Sequence, residues 1–579
     1  MASPLSVALH DSLNADYRLF LARKGLATVP DIKDVAFSRL LQGVVKKFTG
    51  ELSTTPEGDA AALAKFRASN SRARDWAWVQ FSKEDAVIDE MIRLTLFRWI
   101  GHVNLSTMHQ DQEAEKLMGP GASRGSKTND VYTKLYDSCL TASSRSLYIR
   151  YIHQLRDRTA LHAESIRREV HGEFRQTVSS SASFAKKSAT ESRLITTEPT
   201  LNMYFQKVIG TYVEGLLLRD CKIDLATQPG KNRLLARFGS IDGRHATIDL
   251  SDASNYPLAL ARVLFPDGFY KAMEACRTES VEINGEVEPM YVLSGMGNGF
   301  TFQVETLLFA AILDTVYRYL GLKPEGQRLN VFGDDIICLT EAVDLLVATL
   351  TRLGFRVNES KSFVDGPFRE SCGGDYHHGQ PVKPVYIRRL DRDSDIYSAH
   401  NRLGVWSKIH DIDIGKTLRL LRQSARERLY VPCDCDVNAG FYASVDNLAK
   451  IDQDALRRLY GRQRDVETAP QDAVFYSYLV SEAVEPYKTG SRNPDGCLKA
   501  VSSGRVAPHS KGGIKTVPKA VILKSRKRIG FIAGMDPSYK ASPVYEDYMS
   551  TVDVGVNLHV LLPVWSTVRT ICWLPKWQP

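Results

Sequence analysis

Two adjacent carboxylates in Gly333-Asp334-Asp335 and a third at Asp249 are the residues of this chain with the clearest chemical potential. Asp334 and Asp335 stand between two runs rich in β-formers, Leu329 to Phe332 and Ile336 to Leu339. That pattern predicts a hairpin with its turn at the glycine and both carboxylates at its tip. Asp249 closes another apolar and β-branched run, Ala246-Thr-Ile-Asp, and a carboxylate at that strand end can face the hairpin tip. Hard divalent cations such as Mg²⁺ prefer oxygen ligands and leave sites open for phosphates, so convergent aspartates are what two-metal phosphoryl transfer requires. Without a cation such a cluster repels itself. A lone Gly-Asp-Asp is more often a solvated turn, and Asp249 is what sets this one apart.

Between these elements lies Ser294-Gly-Met-Gly-Asn-Gly-Phe-Thr, followed by an apolar periodicity that predicts a helix from about Thr301 to Leu320, closed by Gly321. Glycines there permit close backbone approach to a nucleotide or template strand. The segment is not a dinucleotide fingerprint, because Phe300 stands where a third glycine is required. Gly415-Lys416-Thr417 is not a phosphate-binding loop either, since His410 occupies the place of its first glycine. Cys433 and Cys435 form a C-x-C pair with no second Cys or His pair at zinc spacing, which reads as structural.

Taken in order, Asp249, Ser294 to Thr301 and Gly333-Asp334-Asp335 resemble motifs A, B and C of viral RNA-directed RNA polymerases. The strings MGNGFTFQVETLLFA, VFGDDII and GPFRESCG are similar to the replicase β subunits of single-stranded RNA bacteriophages, the leviviruses, and the close resemblance runs from about Arg193 to Arg389. It implies an α+β right-hand architecture of fingers, palm and thumb, the palm being a small antiparallel sheet. The implied activity is template-dependent RNA synthesis on an RNA template, with nucleoside triphosphates (NTPs) as substrates and pyrophosphate as leaving group. Two Mg²⁺ ions, with Mn²⁺ as a substitute, would be held by Asp249 and Asp334, and Asp335 would be a ligand or a supporting acceptor. Lys187 and Arg193 match the basic fingers motif that neutralises the triphosphate, and Lys361 falls where a general acid for pyrophosphate is placed. Ser294, Gly295, Asn298 and Thr301 are the implied substrate contacts of motif B. Glu305 stands where many polymerases carry an asparagine, which leaves that role to Asn298, and either Asn255 or Asp252 meets the ribose. The implied partners are RNA template and product, host elongation factors Tu and Ts and a small-subunit ribosomal protein, in the cytoplasm of an infected bacterial host. Two other readings stay open. One is a reverse transcriptase, which polar Ser254 and Asn255 oppose although Tyr256 is close by; the other is a nonenzymatic RNA-binding protein.

These residues need a large scaffold. At 579 residues, several subdomains around a shared cleft are expected, and 43% apolar with 25% charged residues is an ordinary globular balance. A net charge of +8 is a mild lean toward polyanionic partners. Nine cysteines scattered from Cys139 to Cys572 lack the spacing of a disulfide scaffold, and a reducing cytoplasm fits them. The N-terminus does not look like a signal peptide. The apolar stretch from Val554 to Leu574 is interrupted by Asn557, His559, Pro563 and Arg569, so no membrane span is expected. Residues 1 to about 175 show helical periodicity, as in Asp89 to Ile100, and Ser179 to Arg193 reads as an exposed polar loop. The chain after Asp391 reads as mostly helical until Arg505 to Arg528, which holds eight cationic residues and no acidic one. The resulting division is 1–130, an N-terminal region contributing to a fingers and thumb bridge; 131–245, fingers; 246–390, palm; and 391–579, thumb and C-terminal region. Trp565, Trp573 and Trp577 would either stack on an initiating base or pack in a core or interface.

Overall fold

The strands that carry the aspartates pair as their sequence predicts. In the computed structural model, which describes residues 4–24, 31–48, 54–108, 118, 121–126, 131–155, 158–188, 190–324, 326–460, 473–484 and 522–532, helix and sheet are mixed in an α+β arrangement. A three-stranded antiparallel sheet has Asp335–Leu339 at its centre, flanked by His245–Ile248 and Asn330–Phe332. Its register sets Ile336 opposite Ile248 on one side and Asp335 opposite Phe332 on the other. The two-residue turn between Phe332 and Asp335 needs a positive φ at its first position, which Gly333 supplies at +59°.

Side chains of the central strand alternate between two cores, as the period of a strand requires. Ile336 and Cys338 join the largest apolar cluster, together with Leu307, Leu308 and Leu313 of the helix Thr301–Tyr319. Ile337 points to the other face, where it meets Ala236 of the helix Gln228–Asp242 and Tyr376. The Thr301–Tyr319 helix is buried along its length from Val304 to Tyr317, and residues 307 to 313 have no exposed surface. It ends as expected near Gly321, whose φ is +68°.

The N-terminal third is helical as predicted: Pro4–Lys24, Ile32–Gly43, Pro56–Asp75 and Lys83–Ile100. The last of these starts at a Ser82 and Asp85 capping box. Two expectations are corrected. Ser179 to Arg193 is not a loop: Ser179–Lys186 and Ser192–Thr197 form an antiparallel hairpin, and Ser179–Ser181 pairs in parallel with Ser280–Glu282. Small side chains allow this, since Ser180 fits a fully buried position and Leu194 packs with Val281 and Met290. The chain after Asp391 is helical only through Gln453–Tyr460. It then forms a pair of long antiparallel strands, Val474–Val484 and Ile522–Ile532, and the second carries Lys524 to Arg528. Residues 505–521 and all three C-terminal tryptophans lie outside the described residues. Among the described residues, no helix is long and apolar enough to cross a membrane.

Candidate active site

Asp249 ends the first strand of the sheet and Asp334 sits in the Gly333 turn, so the predicted facing of strand end and hairpin tip is present. The carboxylates act on one another electrostatically. Burial, and then the charge of Asp249, raise the Asp334 carboxyl above its usual range, whereas Lys361 and Arg193 pull it down. Asp335 is pushed up to about 6, first by burial and further by Asp334 and Asp249. Its Oδ1 accepts from the Ser371 hydroxyl at 3.3 Å, from the neighbouring strand Phe368–Ser371.

Asp249 is held by groups that follow from strand register. The short strand Leu250–Ser251 pairs with Arg356–Val357, which carries the chain on to Asn358, whose backbone N–H donates to the Asp249 carbonyl at 2.8 Å. The Asn358 side-chain amide then donates to Asp249 Oδ2 at 2.7 Å, and Lys361 Nζ lies 3.5 Å from the same oxygen. Ser362 Oγ accepts from the Asp249 backbone N–H at 3.1 Å. Lys361 therefore meets the carboxylate cluster. Asn358 and Ser362 were not singled out by sequence, although both flank the Lys361 that was.

The glycine segment is pressed onto the basic hairpin. The Thr196 N–H donates to the Met296 carbonyl at 2.7 Å, and a Cβ on Gly295 would come within 2.6 Å of Thr196 Oγ1. Gly295 thus serves close packing on the hairpin. Ser294 and Thr301 are both buried and bond to each other, Thr301 Oγ1 to Ser294 Oγ at 2.9 Å. Asn298 Oδ1 accepts from the Phe300 N–H at 3.1 Å, and its buried Nδ2 has no hydrogen-bond partner. Glu305 is buried beneath the Gly333 turn with Oε2 unpartnered, and burial with the nearby Asp334 charge raises its carboxyl well above the ordinary value. On the hairpin itself Arg193 is exposed yet acts on Asp334, while Lys187 is exposed at the tip and paired with Glu191 at 2.9 Å.

Of the two ribose alternatives, Asp252 is engaged elsewhere. Its nearly buried carboxylate is ion-paired with Lys65 at 2.7 Å, Arg356 at 2.5 Å and Arg72 at 3.8 Å. Asn255 is half-buried and lines a cavity beside it. Tyr256 is buried, its ring packed against Phe355. The Gly415-Lys416-Thr417 segment is structural: buried Asp16 accepts from the Lys416 and Thr417 amides and the Thr417 hydroxyl, and Asp413 accepts from the Gly415 amide. The Cys435 thiol is directed at the Tyr476 hydroxyl within an apolar cluster. In the basic strand, Lys527 is paired with Glu427.

The carboxylates offer hard oxygen donors whose mutual repulsion a divalent cation would relieve, and in that sense they fit such an ion. Among the described residues, no three His, Cys, Asp or Glu side chains are already drawn together around one point.

A sequence model of the family described as RNA replicase, beta-chain, matches residues 39–490. The chain is 34% identical over 362 residues to the RNA-directed RNA polymerase beta chain of Escherichia phage MS2, covering 60% of this chain and 64% of that one. It is 38% identical over 229 residues to the RNA-directed RNA polymerase subunit beta of Qbeta virus (strain MX1), covering 39% of this chain and 38% of the relative. The chain therefore spans less than two thirds of the length of these curated relatives. The crystal structure of the RNA-dependent RNA polymerase of a human picorbirnavirus aligns with 72% of this chain and 82% of its own, at 12% identity and a TM-score of 0.45. With the family pattern matched along most of its length, this chain belongs to the RNA replicase beta-chain family.

Proposed function

We propose that the chain catalyses template-dependent RNA synthesis on an RNA template, transferring nucleotides from NTPs to a 3′-hydroxyl with release of pyrophosphate. The observation that carries this reading is the coupling of Asp249 and Asp334 across the sheet, with Lys361 and Arg193 acting on the same carboxylates. Relatives named RNA-directed RNA polymerases supply the reaction class.

In this reading Asp249 and Asp334 hold Mg²⁺ or Mn²⁺, with Asp335 as ligand or support, and the bound ions supply activation of the 3′-hydroxyl and charge neutralisation at the phosphates. Asn358 and Ser362 fix the Asp249 carboxylate and backbone. Arg193 and Lys187 neutralise the incoming triphosphate, which for Lys187 requires release from Glu191. Lys361 holds the proton that the leaving pyrophosphate takes up. Asn255 reads the ribose 2′-hydroxyl, and the Ser294 to Thr301 segment shapes the nucleotide site. The sheet region is the palm of a right hand, the hairpin Ser179–Thr197 part of the fingers and the region after residue 390 the thumb. RNA and NTPs are the substrates; host elongation factors Tu and Ts and a small-subunit ribosomal protein are the proposed partners, in the cytoplasm of a bacterial host.

The test is nucleotide incorporation on an RNA template with Mg²⁺, in wild type and Asp334→Asn. Loss of a charged ligand removes several kcal/mol of transition-state stabilisation, on the order of a thousandfold in rate, while RNA affinity and folding persist. Substantial residual incorporation by Asp334→Asn would overturn the assignment.

A further inference from the structure

Asp252 carries more positive charge than a stabilising ion pair needs. Lys65 and Arg72 from the helix Pro56–Asp75 and Arg356 from the strand Arg356–Val357 all converge on its one carboxylate. The sum is a local charge of +2, and among the described residues Arg72, Arg356 and Asp252 are the charged groups in the wall of the adjoining cavity of about 210 Å³, with Lys65 reaching Asp252 from beside it. A nearly buried carboxylate needs a cationic partner, but one suffices to compensate it, and the other two half-exposed cations add net positive charge that folding does not require. Two guanidiniums are crowded there: burial, and then the neighbouring Arg356, hold Arg72 below its usual pKa.

The cluster has a defined position relative to Asp249. The pairs Ser251 with Arg356 and Leu250 with Val357 lead directly to the bond between Asn358 and Asp249. Asp252 stands three residues after Asp249, in the turn that follows the strand Leu250–Ser251, so the cluster sits on the segment adjoining that carboxylate. Asn255 and the aromatic rings of Trp76 and Phe355 line the same cavity. A small cavity with two guanidiniums in its wall and a third cation beside it matches a compact multivalent anion in size, whereas a polymer backbone needs a groove that tracks along it.

We propose that Lys65, Arg72 and Arg356 form a docking site for the terminal phosphates of a nucleoside triphosphate, with the Asp252 carboxylate holding the cations in place until the phosphates take over. This rests on the polymerase reading, since the docked nucleotide is the one delivered to Asp249. Arginine forks bind phosphate oxygens bidentately, and displacement of an internal carboxylate leaves no cation unpaired at any stage.

The experiment uses the full chain and inorganic tripolyphosphate as probe, with binding followed by calorimetry and, separately, KM for ATP on one RNA template. Arg72→Gln and Arg356→Gln are each expected to weaken tripolyphosphate about tenfold and to raise KM for ATP more than they lower kcat. Asp252→Asn, which removes the internal competitor, is expected to tighten tripolyphosphate binding and guards against a variant that merely unfolds. Unchanged tripolyphosphate affinity in all three, or a loss confined to RNA affinity, overturns the proposal. Asp334→Asn separates the two readings: it lacks catalysis, yet the probe must still bind in a manner sensitive to Arg356→Gln. A wild type that binds the probe this way without making RNA would sink the polymerase reading alone.

Discussion

Sugar choice is set at the scale of single residues. Asn255 is half-buried on the cavity wall, its backbone N–H bonded to the Asp252 carbonyl at 2.9 Å. An amide both donates to and accepts from a 2′-hydroxyl, the group that separates ribonucleotides from deoxyribonucleotides. Loss of that bond should cost about 1 to 2 kcal/mol, or roughly 5- to 30-fold. The expected outcome is a wild type that prefers ATP to dATP and an Asn255→Ala variant in which this preference narrows through slower use of ATP, read as kcat/KM on one RNA template. An unchanged ratio would remove Asn255 from the ribose. The residues behind this prediction were legible to different degrees. Asp249, Asp334 and Asp335 announce themselves through short β-forming runs and a glycine turn, which are local signals. The Asn358 bond to Asp249 was not legible, because it depends on Ser251 pairing with Arg356, a register that sequence spacing does not reveal.

At the scale of elements, a buried acid sits where the basic hairpin runs into the core. Glu198 lies between the strand Ser192–Thr197 and the helix Thr200–Asp220, and burial, only partly offset by the Arg277 guanidinium, pushes its carboxyl up to about 7. Unfolded, the same group titrates near 4.5. Between these values the unfolded chain has released a proton that the folded chain keeps, so stability falls as pH rises from about 4.5 to about 7 and levels off above. The slope is about 1.4 kcal/mol per pH unit for one proton. Glu198→Gln should remove that slope, and the stability difference between variant and wild type should therefore grow from pH 4.5 to 7, read at each pH as the difference in hydrogen-exchange protection of the hairpin amides 179–197 between the two proteins. A difference that stays constant with pH would mean Glu198 is ionised in the fold. This hairpin escaped the sequence reading for a physical reason. Ser-Ser-Ser-Ala-Ser carries no β-branched signature, and the strand is fixed by a parallel partner at Ser280–Glu282, about a hundred residues away. The Thr301–Tyr319 helix was legible because its period and its closing glycine are both written locally.

Across the whole molecule, the chain's beginning is built into its later half. Leu9, Leu13 and Phe37 share one core with Tyr397, Leu403, Trp406 and Leu421, so the helices Pro4–Lys24 and Ile32–Gly43 pack with Asp393–His410 and Gly415–Ser424. No local pattern could have shown which residues make this contact. The joint is polar as well as apolar. Asp16, almost fully buried, accepts from the Lys416 and Thr417 N–H groups at 3.2 and 2.9 Å and from Thr417 Oγ1 at 2.7 Å. The residue before the Gly415–Ser424 helix offers no side-chain cap; Asp413 takes the Gly415 N–H at 2.9 Å, and a carboxylate four hundred residues away satisfies the next two amides and meets the positive end of the dipole. Asp16→Ala should cost about 2 to 3 kcal/mol, the scale of hydrogen bonds to a charged acceptor that leave buried donors unpaired. In a chain of this size a single unfolding midpoint is a poor measure, so the cost is best read locally by hydrogen exchange. Amides of residues 415–424 should lose protection in Asp16→Ala, while those of the hairpin 330–339 at the carboxylate site keep theirs. Equal protection in both proteins would show that the apolar contacts around Trp406 hold the joint without Asp16, and loss at both places would make the N-terminal helix a support for the active site as well.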